Sequence, residues 1–252
     1  MSSLILHVPH ASTRLPEADL ADFIPPAAIL RREILRLTDW YADELFASGF
    51  SPERVIRADF SRLVVDVERF AEDPQEPASR VGMGATYVRT TDGDLLRVLS
   101  PARRQELMQQ YYWPHHRALN HVTGEILAKH GRCLILDAHT YPSVALPTQR
   151  DFGPALEIGL GTDAYHTSPR LVDFSVDFFR RKGFEVAVDV PFRGTMVPGA
   201  FFGQEPRVQS LMVEVRRDLY LDENSGQRGR GFARIQALLA EFRDRLVDFS
   251  RG

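Results

Sequence analysis

The sequence has a single cysteine and no long apolar run. Cys133 is the only cysteine among 252 residues, so the chain can form neither an internal disulfide nor a cysteine-rich zinc site. No apolar run approaches the roughly 20 residues that span a bilayer, and residues 1–10 lack the basic start and long apolar centre of a secretory signal. We therefore predict a cytoplasmic protein in which histidine and carboxylate side chains hold any metal.

The chain also lacks a strong excess of charge. Its formal net charge is −3, both signs are interspersed, and no helix is basic along one face and apolar along the other. These features disfavour nucleic acid and membrane partners and favour a small molecule. Repeats, low-complexity blocks and linkers are absent, so we predict one domain over residues 1–252. Nothing in the sequence indicates an oligomeric state.

The sequence does contain an alternation of strand-like and helix-like segments. Apolar or β-branched runs predict strands at residues 4–8, 62–69, 133–137, 184–190 and 210–216. Helical spacing predicts helices at residues 27–48, 101–129, 168–182 and 229–249, the second kinked at Pro114 and capped by Gly131. This alternation predicts an α/β fold, a three-layer α/β/α sandwich with its ligand site at the carboxyl ends of strands. Residues 71–93, rich in Pro, Gly, Asp and Glu, predict a long functional loop.

Three residues are candidate metal ligands. Zinc hydrolases commonly use three histidine or carboxylate ligands and leave the fourth position to water, a set that His10, Asp39 and His139 satisfy. His10 and His139 both follow short buried strands, and Asp39 lies within the predicted helix 27–48 or at a break in it. A hydrogen-bonded structural histidine remains the alternative for each histidine. His7 precedes His10 by three residues and could orient a ligand or be hydrogen bonded in the core.

Glu214 interrupts the apolar strand predicted at residues 210–216. An unpaired buried carboxylate is costly, so Glu214 needs an ionic partner, a metal-bound water or a raised pKa. The last two suit a general base. A structural ion pair with Arg216, on the same face of the strand, is the alternative. Glu214 is thus the candidate catalytic residue, and Arg216 a candidate for binding substrate.

Further polar residues could hold an acidic substrate. Arg62 and Arg69 lie on the predicted strand 62–69 with Asp66 between them, and a guanidinium fork matches a carboxylate in two parallel hydrogen bonds. The alternative is an ion pair with Asp66. His115 and His116 are adjacent in an aromatic stretch of helix and face different directions, so one packs while the other can reach the cleft. We take His116 as the candidate for binding substrate.

Four segments, in order along the chain, resemble the N-formylglutamate amidohydrolase family: Val8-Pro-His-Ala-Ser12, Ser61-Arg-Leu-Val-Val-Asp-Val-Glu-Arg69, Leu136-Asp-Ala-His-Thr140 and Val213-Glu-Val-Arg-Arg-Asp-Leu-Tyr220. Residues 191–194 resemble a further family stretch. The resemblance implies a fold similar to that of zinc carboxypeptidases, with a mixed, mostly parallel sheet. It also implies one Zn²⁺ ion held by His10, Asp39 and His139, and catalysis by Glu214.

The activity implied by the resemblance is hydrolysis of N-formyl-L-glutamate to formate and glutamate, as in histidine breakdown. A related N-acyl amino acid is the nearest alternative, because Thr140 and Thr195 replace a serine and a glycine usual in the family. Such changes in a pocket can alter substrate discrimination strongly. A metallopeptidase and a non-catalytic protein that binds a small acidic ligand are the rival interpretations.

Overall fold

A computed structural model describes residues 3–149 and 153–250 and has a six-stranded sheet at its centre. The strands are Leu4–Val8 (β1), Val55–Arg57 (β2), Cys133–Tyr141 (β3), Ile158–Gly161 (β4), Val186–Val188 (β5) and Val208–Arg216 (β6), with a small hairpin of Leu221–Asp222 (β7) and Gln227–Arg228 (β8). The strand order in the sheet is β2-β1-β3-β6-β4-β5, and neighbours run parallel except for the antiparallel pair β6 and β4. The predicted α/β fold with a mixed, mostly parallel sheet is confirmed.

Helices cover both faces of the sheet and complete three layers. The helices are Ala27–Leu37 (α1), Ala42–Ala47 (α2), Pro101–Leu107 (α3), Trp113–His130 (α4), Pro169–Arg181 (α5) and Phe232–Phe249 (α6). One apolar core joins the sheet to α2, α5 and α6, and a second joins its opposite face to α4. Among the described residues, none of these helices combines the length and the apolar character of a membrane span.

Strand alternation places the polar side chains of the central strands on the α4 side. In β3, Leu134, Leu136 and Ala138 pack into the core shared with α6, so Asp137 and His139 face the other way. The register pairs His7 with Asp137 and His139 with Glu214. Burial of the apolar face fixes this register, because a slip by one residue would turn every polar side chain towards α6.

Residues 62–69 do not form a strand, so that prediction is wrong. The segment runs through turns with Val64, Val65 and Val67 buried in a separate apolar cluster. Its backbone groups find partners outside the sheet: the amide of Asp66 donates to the carbonyl of Ala85, and the side chain of Arg97 donates to the carbonyl of Val64. A β-branched run can therefore be buried without a strand neighbour when a loop backbone group and a side chain satisfy its backbone.

The predicted helix 27–48 is broken, and Asp39 lies in the break. Helix α1 ends at Leu37 and α2 begins at Ala42, with Tyr41 in the left-handed region at φ 61°. The amide of Asp39 donates to the carbonyl of His10, which brings two candidate ligands together. Strand β3 also runs further than predicted, so His139 lies inside a strand rather than beyond its end.

The other boundaries depart from the sequence predictions in smaller ways. The irregularity expected at Pro114 is a π-helical turn, Met108–Tyr112, directly before α4, and Gly131 caps α4 at φ 70°. Residues 71–93 contain the short 3-10 turns Asp73–Gln75 and Pro77–Val81, as expected of a loop. Strands β2 and β4 were not predicted, and β4 contains two glycines.

Candidate active site

The carboxyl ends of β1, β3 and β6 open into a cavity of about 1190 Å³. Parallel strands end at one edge of the sheet, so side chains distant in sequence meet there. Residues 71–93 and 191–197 supply much of the remaining wall. The candidate ligands and the candidate base lie together on its floor: His10, Asp39, His139 and Glu214.

His10, Asp39 and His139 form a compact, buried cluster. The carboxylate Oδ2 of Asp39 lies 2.9 Å from Nδ1 of His139 and 3.6 Å from Nδ1 of His10. All three ligand atoms lie within 4.8 Å of one another. Zinc bonds of about 2.0 to 2.1 Å in a tetrahedron place neighbouring ligand atoms about 3.4 Å apart, so this spacing fits a zinc ion.

Each candidate ligand is held from behind by a buried partner. Nε2 of His10 lies 2.8 Å from Oδ1 of Asp66, and Nε2 of His139 lies 3.1 Å from Oδ1 of Asp137. The guanidinium of Arg217 donates to Oδ1 of Asp39 at 3.0 Å. Partners of this kind orient metal ligands in many proteins. They also leave the opposite atom of each side chain directed towards the common centre.

The electrostatics of the cluster favour a cation at that centre. Burial and Arg62 act to lower the pKa of His10, but the carboxylates of Asp66 and Asp39 outweigh them and the pKa lies above its ordinary value. Nδ1 of His10 has no hydrogen-bond partner among residues 3–149 and 153–250. A buried nitrogen without a partner, directed at a carboxylate and a second imidazole, matches the requirements of a metal ligand.

Glu214 lies beside the cluster in a contrasting environment. Glu214 is 7% exposed, and no described residue forms a hydrogen bond to its Oε2. Burial raises the pKa of Glu214 to about 8, although the nearby His139 opposes the shift. A carboxylate in register with a candidate ligand, with one free oxygen and a raised pKa, has the properties of a proton acceptor.

The two arginines that flank Asp66 differ in how freely they can meet a ligand. Arg62 donates from Nε and Nη2 to Oδ2 of Asp66, at 3.0 and 2.6 Å. Nε of Arg69 lies 3.6 Å from that carboxylate and makes no hydrogen bond to any described residue, and its side chain is 34% exposed. Both line the cavity. Nη1 of Arg69 also lies 3.7 Å from Oε1 of Glu76, beyond hydrogen-bond distance, so Arg69 is the one whose donors remain available.

Arg216 is placed differently from the sequence expectation. It is not among the residues that line the cavity, because its side chain donates to the carbonyl of Ala155 and to Asp218. The next residue, Arg217, lines the cavity instead and is buried against Asp39 and Thr140. The ion pair considered between Glu214 and Arg216 is likewise not formed, since Asp218 pairs with this arginine.

His116 lies in the cavity wall, where its Nε2 is 2.8 Å from the carbonyl oxygen of Val67. Burial lowers the pKa of His116 to about 4. The ring is therefore neutral near pH 7 and can contact a substrate as a packing surface rather than as a cation. Its neighbour His115 faces the sheet and contacts His7.

Sequence reasoning missed two carboxylates of the site. Glu68 lines the cavity, and its Oε2 lies 2.9 Å from Nε2 of His139. Asp137 is fully buried beneath His139. Together with His7 they form a second group whose ligand atoms lie within 4.8 Å. Asp137 could have been found from alternation, because it precedes His139 by two residues on one strand face, whereas Glu68 lay on the strand that does not form.

Comparison with known proteins assigns the chain to a family. The N-formylglutamate amidohydrolase family profile matches residues 2–221. The chain belongs to this family. An N-formylglutamate deformylase from Pseudomonas aeruginosa is 25% identical over 232 residues, which cover 88% of this chain and 83% of that relative. Members of the family are hydrolases that act on an amide bond, so the cavity described above is the candidate place of that chemistry.

Solved structures agree with the assignment. A crystal structure of an N-formylglutamate amidohydrolase from Ralstonia eutropha JMP134 matches with a TM-score of 0.80 and 25% identity, over 99% of this chain and 94% of that chain. A gene product of Agrobacterium tumefaciens matches with a TM-score of 0.69 and 19% identity, over 100% of this chain and 92% of that chain. The second likeness shows a shared fold alone.

Proposed function

We propose that this member of the N-formylglutamate amidohydrolase family is a zinc-dependent enzyme that hydrolyses N-formyl-L-glutamate to formate and glutamate. The observation that carries the proposal is the cluster of His10, Asp39 and His139 beside Glu214, at the floor of a cavity with arginines in its wall. The names of the similar proteins support the substrate. The reaction would serve histidine breakdown.

His10, Asp39 and His139 would hold the zinc ion, and Asp66, Asp137 and Arg217 would keep them in place. A bound zinc ion makes a neighbouring water more acidic and polarises an amide carbonyl. Glu214 accepts the proton of the attacking water through its free oxygen. It then returns that proton to the amine as the C–N bond breaks, so formate and the free amino group of glutamate leave together.

Substrate carboxylates would bind on the arginine side of the cavity. Arg69 has the donors that remain available, and Arg62 adds positive charge beside it while it holds Asp66. Two parallel charge-assisted hydrogen bonds to one carboxylate give both affinity and orientation. His116 would bound this subsite as a neutral, half-buried surface.

A larger N-acyl amino acid is a second candidate, favoured by the size of the cavity. About 1190 Å³ exceeds the 300 to 1000 Å³ typical of sites for drug-sized ligands, whereas a formyl group adds one carbon to glutamate. Met212, two residues before Glu214 on the same strand face, also lines the cavity together with Phe192 and Met196. These apolar side chains would suit an acyl group longer than formyl.

The test measures zinc content and formate release from N-formyl-L-glutamate for the wild type, His139→Ala and Glu214→Gln. We expect stoichiometric zinc in the wild type and in Glu214→Gln, its loss in His139→Ala, and little activity in either variant. N-acetyl-, N-butyryl- and N-benzoyl-glutamate and an unmodified dipeptide are assayed in parallel. No zinc binding and no hydrolysis of any of these compounds by the wild type would leave a binding protein as the better interpretation.

A further inference from the structure

A buried chain of hydrogen bonds runs from α4 through two strands to His139. Nε2 of His115 lies 2.8 Å from Nε2 of His7, and Nδ1 of His7 lies 2.8 Å from Oδ1 of Asp137. The same oxygen of Asp137 lies 3.1 Å from Nε2 of His139. His115, on the first turn of α4 directly after the π-helical segment, is thus connected to a candidate metal ligand that it does not touch.

We propose that His7 and His115 are positioning residues that, through Asp137, fix the tautomer and orientation of His139 so that its Nδ1 faces the metal position. This inference rests on the zinc site proposed above. It assigns a role to two histidines that do not line the cavity.

If the three histidine rings of this hydrogen-bond chain are neutral, only one placement of their hydrogens satisfies every bond. The carboxylate of Asp137 can only accept, so the ring atoms that face it, Nδ1 of His7 and Nε2 of His139, each carry a hydrogen. Neutral His7 then has a lone pair on Nε2 and must accept from the N–H of His115. Neutral His139 has its lone pair on Nδ1, the atom nearest Asp39.

Burial makes this arrangement rigid. His7 and Asp137 are 0% exposed, His139 is 3% exposed and His115 is 7% exposed, so water cannot readily replace any member of the chain. The other oxygen of Asp137 accepts from the amide of Met196 at 2.7 Å. Burial, together with the nearby His7, holds the pKa of His115 well below its ordinary value, which agrees with a neutral ring. Satisfied polar networks of low exposure hold their members in single orientations.

Glu68 provides a contrast within the same group. Its Oε2 is 2.9 Å from Nε2 of His139, so it could replace Asp137 as the acceptor. Glu68 is 17% exposed in the cavity, and no described residue anchors its carboxylate as Met196 anchors that of Asp137. Asp137 is therefore the acceptor that transmits the constraint, and Glu68 is a secondary acceptor facing solvent.

The experiment measures zinc affinity of the metal-free protein by competition with a chromophoric chelator. His7→Leu removes the donor to Asp137, and we expect its zinc affinity to fall about 10- to 100-fold, the range seen when outer partners of metal ligands are lost. His7→Asn places an amide N–H where Nδ1 stood and should recover most of the loss. A purely structural role for His7 would show no such rescue at equal thermal stability.

His115 offers an independent pair of variants with a matched control next to it. His115→Leu should weaken zinc binding by about tenfold, and His115→Gln, which restores a donor at the position of Nε2, should bind as the wild type. His116→Gln changes the adjacent histidine, which contacts Val67 instead of His7, and should leave zinc affinity unchanged. If His7→Leu fails to fold, the His115 variants decide.

A spectroscopic readout checks the tautomer directly. Nitrogen-15 shifts of labelled histidine in the zinc-loaded wild type should assign Nδ1 of His139 as metal-bound and Nε2 as protonated. Metal-bound Nε2 would overturn the proposal, as would wild-type affinity in both His7→Leu and His115→Leu. If the wild type itself takes up no zinc, the zinc site and the positioning role fail together, whereas intact zinc binding in both leucine variants removes only the positioning role.

Discussion

The candidate ligands and the candidate base lie side by side on neighbouring strands, yet their surroundings are opposite. His139 and Glu214 are paired in register on β3 and β6 and face the same side of the sheet. His139 has carboxylates at both ring nitrogens, whereas Glu214 is buried with one oxygen to which no described residue donates a hydrogen bond. The candidate ligand is held in place in advance, and the candidate base keeps an unused acceptor oxygen.

This difference shows how two neighbouring strands can support both metal binding and proton transfer. Partners fix the geometry that a metal needs, whereas burial without a partner raises the pKa of Glu214 to about 8. The functions should therefore be separable by mutation. Variants at the ligands should change metal binding, and variants at Glu214 should change proton transfer while metal binding persists.

Asp39→Asn is expected to have the largest effect, and it tests the ligand side of the comparison. The variant removes the charge of a candidate ligand and the ion pair with Arg217, so we expect loss of stoichiometric zinc and a fall in activity of at least about 1000-fold. Loss of the buried pair should also destabilise the metal-free protein by about 3 kcal/mol. Metal analysis and denaturant unfolding measure both effects. Retention of zinc by Asp39→Asn would contradict the ligand assignment.

The next effect concerns the stability of the metal-free protein with Glu214→Gln. The folded pKa of about 8 lies above the ordinary 4.5, so the folded state keeps a proton that the unfolded state releases. The stability from this proton is complete below pH 4.5 and is lost as the pH rises towards 8. Glutamine has no such loss, so at pH 8 the variant should be more stable than the wild type, by on the order of 3 kcal/mol.

Unfolding free energies of both proteins in the presence of a chelator, at pH 5 and pH 8, measure this difference. The gap between variant and wild type should widen at the higher pH. A gap that is equal at both values would show that Glu214 has an ordinary pKa in the folded protein.

A smaller effect distinguishes the two arginines beside Asp66. Arg69→Ala removes free donors from the cavity, and we expect KM for N-formyl-L-glutamate to rise about 10- to 100-fold with little change in kcat or stability. Arg62→Ala leaves the buried Asp66 without its main cation and should lower stability as well. Steady-state kinetics and thermal unfolding of the two variants test the distinction. An unchanged KM in Arg69→Ala would show that Arg69 does not bind the substrate.

The smallest effect is expected for Arg216→Ala. Its ion pair with Asp218 is outside the cavity, and partly exposed pairs contribute about 1 kcal/mol or less. Both KM and kcat should stay within about twofold of the wild type. A large rise in KM would show that Arg216 reaches the substrate and that the lining described for the cavity is incomplete.

The parts of the fold that the sequence predicts best are those where apolar pattern and packing agree. Strands β1, β3 and β6 are short apolar runs with both faces covered, and Gly131 and Gly183 lie close behind α4 and α5. Residue type and position made His10, Asp39 and His139 candidate ligands although their spacing matches no short motif, and the resemblance to a family supported the same three residues.

The failures occur where long-range contacts override local pattern. Residues 62–69 look like a buried strand because their valines are buried, but Arg97, 33 residues beyond Val64, binds the backbone there. Strand β4 looks unlike a strand because Gly159 and Gly161 replace side chains. A Cβ at Gly161 would overlap the backbone carbonyl oxygen of Gly194, so the glycine is required by a loop far along the chain.

The contacts of Asp66 limit which substitutions this position can accept during evolution. Its Oδ1 faces His10 and the amide of Glu68, and its Oδ2 accepts from Arg62 and Tyr87. Asparagine would turn an amide N–H towards one of these donors. Glutamate is too long for the space that Asp66 occupies, because that residue is 0% exposed. A homologue that lacks Asp66 must therefore differ at several of these neighbours as well. We expect Asp66 and the side chains that donate to it to change together among homologues.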